Sequence, residues 1–194
     1  LPRWRSELAG VHLEIVEGEE TDLLRGLRTA SLDLIAVEVD ESAKAAPPES
    51  GVLDVPLIDD RWVLAAPAGT QAAMGVVDLA ELRLPWLEVD RGAGALTAVT
   101  RVRKTLVEST TSPHRYASTQ AALSLIAAGE GVTLLSQLGV RGQSFDGVEL
   151  HELPGLGVRH ISLRYRKARK PSPALGAAIE FLQALVADPD GIDE

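Results

Sequence analysis

The stretch from Ser118 to Ser136 constrains this chain more than any other, because it dictates a helix, a stop and a covered strand in immediate succession. Ser118 or Thr119 can accept a backbone N–H bond as an N-cap, and the Leu, Ile and Ala residues that follow favour a helix. Gly129 suits the left-handed residue after a last helical turn. Beyond Gly131, the run Val132–Leu135 is too short for a helix and right for a strand covered on both faces. A chain organised around such a unit belongs to the α/β class. Two hydroxyls at a helix N-terminus also make a ready site for a carboxylate or another anion, since open N–H groups and the helix dipole point there. An ordinary capped helix in an α/β domain carries the same local signature.

The chain is long enough, at 194 residues, for one large domain or two small lobes, and composition alone does not choose. No segment has the apolar length of a membrane span, and residues 1–5 lack the apolar core of a signal peptide, so a cytoplasmic protein is expected. The absence of Cys removes disulfides, thiol nucleophiles and cysteine-ligated metals. A net charge of −9 argues that this polypeptide does not hold nucleic acid unaided. The basic run from Arg164 to Lys170 follows a strand pattern and ends at Pro171, as a solvated strand end does.

Taken in order, Leu1, Trp4 and Leu8 give a helix without a preceding cap, as if the sequence opened inside a fold. Val11–Ile15 alternates apolar and polar residues, the period of a strand, with His12 outward. Glu19, Glu20 and Asp22 open a helix striped by Leu23, Leu24 and Leu27, and Leu32–Val37 follows as a strand. That order predicts parallel pairing through a right-handed crossover. Residues 41–50 read as a loop, and Val52–Leu57 and Trp62–Ala66 as two strands of a hairpin turning at Ile58–Arg61. A short helix is expected around Asp78–Leu82, then a strand at Pro85–Val89 and the loop Asp90-Arg91-Gly92-Ala93-Gly94 before a helix near Ala98–Glu108. Such a loop either presents N–H groups and Arg91 to a carboxylate or is a plain strand-to-helix turn. His114–Ala117 is a short strand after a turn at Thr110–Pro113; Val148–Leu153 and His160–Tyr165 are strands, and Pro173–Val186 a helix. Residues 188–194 form an acidic tail expected to fray.

Enzymatic constellations fail in turn. His12, His114, His151 and His160 are scattered and lack the spacing of a zinc-protease helix, so no metal site or cofactor is expected. There is no nucleophile elbow, no phosphate-binding P-loop, and Gly92 and Gly94 lack the third glycine of a dinucleotide fingerprint. No catalytic residue is assigned.

Four pieces, in this order and spacing, closely resemble the effector-binding domain of LysR-type transcriptional regulators. They are Val11–Val37; Val55-Pro56-Leu57 followed by Trp62–Pro67; the Ala127-Ala128-Gly129-Glu130-Gly131-Val132 junction; and Leu163–Lys167. The sequence departs from the family in that a first strand commonly precedes the Leu-Pro with which it opens, and Thr29-Ala30-Ser31 stands where Gly is common.

The resemblance implies two Rossmann-like lobes of the periplasmic-binding-protein type II kind, joined by two crossover strands, with lobe I at 1–66 plus 163–187 and lobe II at 67–162. It implies a small effector between them, bordered by Gly18 and Glu19 from lobe I and by Asp90, Arg91, Gly92, Ser118, Thr119 and Ser136 from lobe II. That agrees with the anion site argued above, because ligands of open α/β folds sit outside the carboxyl ends of the strands. Arg91 and the helix start favour an anionic effector, whereas Glu19 suits an amine, which together allow an amino-acid-like ligand. The family further implies a homodimer or homotetramer, with Trp4, Gln120 and Leu123 as interface residues, and DNA contact only through an N-terminal winged helix-turn-helix outside this sequence. A solute-binding protein or an enzyme on the same two-lobed fold is the rival reading.

Overall fold

The computed structural model describes residues 2–39, 50–70, 77–79, 82–90, 95–106, 108–141, 145–153, 155–167 and 172–187. The elements, in chain order, are α1 (Pro2–Glu7), α2 (Glu20–Thr29), β1 (Leu34–Val39), β2 (Val52–Pro67), β3 (Trp86–Val89), α3 (Ala95–Thr105), β4 (Thr111–Tyr116), α4 (Thr119–Ala127), β5 (Thr133–Ser136), α5 (Gln137–Val140), β6 (Val148–Glu152), β7 (Val158–Arg166) and α6 (Pro173–Ala187). They divide into two compact units, Leu1–Asp59 with Arg159–Glu194, and Asp60–Val158. The chain leaves unit 1 inside β2 and returns at the start of β7.

In unit 1, Leu27 is fully buried over Ile35, Val37, Val39 and Val52, with Leu23 and Leu24 packed alongside, so the apolar stripe of α2 faces the sheet as its spacing requires. Burying a leucine of that kind contributes about 2 kcal/mol. The helix stops at Ala30, held in the left-handed conformation at φ 66° and ψ 19°. There a β-carbon costs roughly 1 kcal/mol that glycine would avoid. A second cluster gathers Leu8, Ala178 and Phe181, and Trp4 meets Phe181 edge-on at 5.3 Å.

Two expectations for this unit are corrected. Residues 11–16 form no strand, although their alternation is right for one, because alternation fixes a face and not a partner, and no described strand pairs with them. Leu13, Ile15 and Val16 stay exposed. Consequently the parallel strand–helix–strand unit does not form, and β1 pairs antiparallel with β7, Leu34 opposite Tyr165 through Val39 opposite His160.

In unit 2, β2 pairs antiparallel with β5 on one side and β6 on the other, β3 lies parallel to β4, and Trp86 bridges in parallel to Val132 just ahead of β5. Period-two alternation splits the β2 side chains between two cores. Trp62, Leu64 and Ala66 join Trp86 and α3 residues Ala98, Val99 and Val102, whereas Val63 and Ala65 join Tyr116 and α4 residues Ala122, Leu123 and Ile126. Helices cover both faces, which explains why β5 is buried at every position.

The α4–β5 junction forms as its glycines demand. Gly129 adopts φ 80°, and the Glu130 N–H reaches back to the Leu125 carbonyl at 3.0 Å to close the helix. Gly131, at φ 150°, lies so close to β3 that an added β-carbon would stand 2.4 Å from the Pro85 carbonyl oxygen.

The expected hairpin between residues 52 and 66 is replaced by one continuous strand, β2. Ile58–Arg61 lacks the glycine that the commonest tight hairpins use, and its acids find partners instead: Asp59 meets His160, and Asp60 accepts the Leu138 N–H at 2.9 Å. Pro113, placed in a turn by its sequence, sits inside β4, where an edge strand tolerates a missing donor. Asp78 and Leu79 are not helical, and the rest of that expected helix, the 41–49 loop and the acidic tail lie outside or largely outside the described residues.

Candidate functional site

Because β4, β3 and the start of β5 run parallel, their carboxyl ends lie along one edge of the unit 2 sheet, and each is followed by a helix. That edge is where an open α/β fold presents groups to a ligand. Asp90 follows β3 and its N–H donates to the Tyr116 carbonyl at 2.9 Å, which ties it to the end of β4. Ser118 caps α4: its hydroxyl accepts the Ala121 N–H at 3.3 Å and its carbonyl the Ala122 N–H at 3.0 Å. Thr119 opens the helix, half-buried, and Ser118 is exposed.

Ser136 ends β5 and caps α5, its buried hydroxyl accepting the Gly139 N–H at 3.0 Å. Gly139 faces both hydroxyls. A β-carbon there would lie 2.8 Å from Ser136 Oγ and 3.5 Å from Thr119 Oγ1. Thus Thr119 and Ser136, far apart in the chain, both approach Gly139. Arg91 and Gly92 fall outside the described residues.

The sequence reading missed Asp60. Its buried carboxylate accepts the Leu138 N–H while Ser136 takes that of Gly139, so the first turn of α5 carries its own anion and capping hydroxyl. Sequence offered little signal for it, because Asp60 stands between Asp59 and Arg61 in a polar stretch that reads as a turn. Nearby, Arg115 donates to Glu88 at 2.6 and 3.1 Å, an exposed pair that raises the guanidinium pKa chiefly through the hydrogen bond. Tyr116 lies beneath the site, its hydroxyl 2.8 Å from Thr133 Oγ1, and burial pushes its pKa up to about 12.

In unit 1, Gly18 is exposed and Glu19 is the N-cap of α2, its carbonyl accepting the Asp22 and Leu23 N–H groups at 2.9 and 3.0 Å while its carboxylate makes no capping bond. Neither lines the groove of about 900 Å³ that unit 1 carries between residues 10–16, Leu32–Ala36 and α6. Of the expected interface residues, Trp4 lines that groove and packs within its own unit, its indole N–H donating to the Val11 carbonyl at 3.4 Å, and Gln120 is exposed. Leu123 is a correction: it is fully buried under the unit 2 sheet, because it falls on the stripe of α4 shared with Ala122 and Ile126.

His114 is exposed and 3.0 Å from Glu130, whereas His151 and His160 are buried in their strands. Among the described residues no group of three His, Asp or Glu side chains is placed to hold a metal, and no helix is long and apolar enough to cross a membrane.

A search of curated proteins finds similarity to the "Probable hydrogen peroxide-inducible genes activator" of Mycobacterium leprae, 28% identical over 183 residues, which cover 90% of this chain and 56% of that protein. The chain therefore spans about half the length of this relative. Among solved structures, the reduced OxyR regulatory domain of Pseudomonas aeruginosa superposes with a TM-score of 0.74 at 22% identity, covering 94% of this chain and 88% of that one. The Synechocystis CcmR regulatory domain in complex with 2-PG gives 0.73 at 15% identity, covering 96% and 89%. These matches establish the two-lobed α/β fold of the periplasmic-binding-protein type II kind. The family described as the LysR substrate binding domain matches residues 1–187, nearly the whole chain, and the protein belongs to that family.

Proposed function

We propose that the chain is the effector-sensing part of a LysR-type transcriptional regulator, and that a small metabolite binds at the carboxyl ends of β3, β4 and β5. The observation that carries this is the convergence of Thr119 and Ser136 on Gly139, at the edge where Asp90 and Ser118 also emerge. Hydroxyls and open N–H groups at the start of α4 take the carboxylate or other anionic group of the effector. Arg91 adds a bidentate donor. Gly18 and Glu19 are the effector contacts proposed for unit 1, and Glu19 receives an amine where the effector is amino-acid-like. No catalytic step is assigned to any of these residues.

The effector acts by population shift: it prefers one arrangement of the two units, and so changes the geometry of a homodimer or homotetramer in which Gln120 and Trp4 contribute to contacts. DNA is read by a winged helix-turn-helix elsewhere in the regulator, in the cytoplasm. A solute-binding protein on the same fold is disfavoured by membership of a regulator family.

The curated relative is named for hydrogen peroxide, and these 194 residues contain no cysteine, so thiol oxidation has no residue to act on within this stretch. A thermal-shift screen of small carboxylates, amino acids and 2-PG separates the possibilities, because a ligand at a hundred times its dissociation constant adds roughly 2.7 kcal/mol of stability. The expected result is a hit whose shift shrinks in Thr119→Val and in Arg91→Ala, with no shift on peroxide treatment. A hit equally strong in both variants removes the site assignment.

A further inference from the structure

Alternate residues of β7 are polar on a face where the neighbouring strand is apolar. The register sets Val39 opposite His160, Val37 opposite Ser162 and Ile35 opposite Arg164, and directly opposed residues share a sheet face. Val39, Val37 and Ile35 belong to the cluster beneath Leu27 of α2. That helix therefore rests on apolar side chains along β1 and meets arginines along β7.

Arg164 reaches the first turn of the helix. Its Nη1 donates to Glu20 Oε1 at 2.9 Å while its Nε donates to Asp54 Oδ2 at 2.7 Å, so one guanidinium ties α2, β2 and β7 together. The fork geometry of arginine suits this double task, and the side chain is only 19% exposed. Arg166 reaches the opposite end. Its Nη1 donates to the carbonyls of Leu27 at 2.5 Å and Leu32 at 2.8 Å, which span the last turn of α2 and the residues that follow it. A cation at a helix C-terminus satisfies carbonyls left open there and favours the dipole.

We infer that Arg164 and Arg166 are positioning residues that pin the two ends of α2, and with its start the N-cap Glu19 and Gly18. The bearing on effector binding rests on the function proposed above; the clamp itself does not. Each guanidinium contact adds a directional bond to a helix otherwise held by its apolar stripe, because the hydrophobic effect itself is non-directional. Arg164 sets the entrance and Arg166 the exit.

Hydrogen exchange of the ligand-free protein tests the clamp. Arg164→Gln is expected to speed exchange in residues 20–29 roughly tenfold, the loss of the charge-assisted hydrogen bond that Arg164 makes to α2 itself, while unit 2 is unchanged. Glu20→Gln gives a smaller change in the same direction. The double variant Arg164→Gln with Glu20→Gln exchanges no faster than Arg164→Gln alone, because both remove one shared interaction. Arg164→Lys restores part of the protection, and Arg166→Gln speeds exchange after residue 26 instead. Unchanged exchange in α2, additive single effects, or an equal rise throughout both units overturns the inference. No effector enters these measurements, so their failure leaves the proposed site standing; an effector whose affinity ignores Glu19→Ala removes Glu19 from the proposed contacts and leaves the clamp intact.

Discussion

Gly131→Ala is expected to destabilise the protein by roughly 2–6 kcal/mol, from overpacking of about 1–3 kcal/mol and backbone strain of similar size. The new β-carbon would stand 2.4 Å from the Pro85 carbonyl oxygen and 3.3 Å from Leu87 Cδ2. Those neighbours cannot withdraw without cost. The Pro85 oxygen accepts the Val132 N–H at 2.9 Å and the Leu87 N–H donates to the Val132 carbonyl at 2.9 Å, so the strand β3 would have to leave β5. Gly129→Ala is the control, since Gly129 also has positive φ, at 80°, but nothing within 4 Å of its missing β-carbon. It is expected to cost only about 1–2 kcal/mol. Urea unfolding of the two variants reads the difference, and equal losses would mean that the close approach of β3 contributes nothing.

Leu123→Ala is expected to cost about 2–5 kcal/mol, the range for emptying a buried leucine site, whereas Gln120→Ala stays within about 0.5 kcal/mol. Leu123 has no exposed surface and packs with Ala122, Ile126 and Leu135; Gln120 projects from the exposed side of the same helix. Urea unfolding checks the stabilities, and sedimentation checks association. A Leu123→Ala protein of unaltered stability that failed to associate would return this residue to an interface.

Legibility in the sequence followed the range of the forces involved. The start and stop of α4 were readable because a hydroxyl cap, an apolar run and a glycine act within one turn of each other, and the strand after Gly131 because it is buried on both faces. The stripe of Leu23, Leu24 and Leu27 was readable for the same reason. Residues 11–16 were not: alternation is local, but a strand exists only through hydrogen bonds to another, and none of the described strands supplies them. The hairpin at Ile58–Arg61 failed likewise, since the acids that looked like turn residues are satisfied from far along the chain, Asp59 by His160 and Asp60 by Leu138. Leu123 was misplaced because an amphipathic helix with an Ala-rich outer surface does not declare which stripe is buried. The site shows the same division. The cap could be narrowed locally to Ser118 or Thr119, of which Ser118 is the one that caps, but the meeting of Thr119 with Ser136 at Gly139 depends on the parallel order of β4, β3 and β5.

The central claim is that an effector is held at the carboxyl ends of those three strands. Hydrogen exchange with and without a saturating hit from the thermal-shift screen tests it most directly. Slowed exchange confined chiefly to residues 118–122 and 136–140 is the predicted result. Protection that instead falls on residues 10–16 and 32–36, around the groove lined by Leu13, Leu34 and Leu182, with 118–122 unchanged, would contradict it.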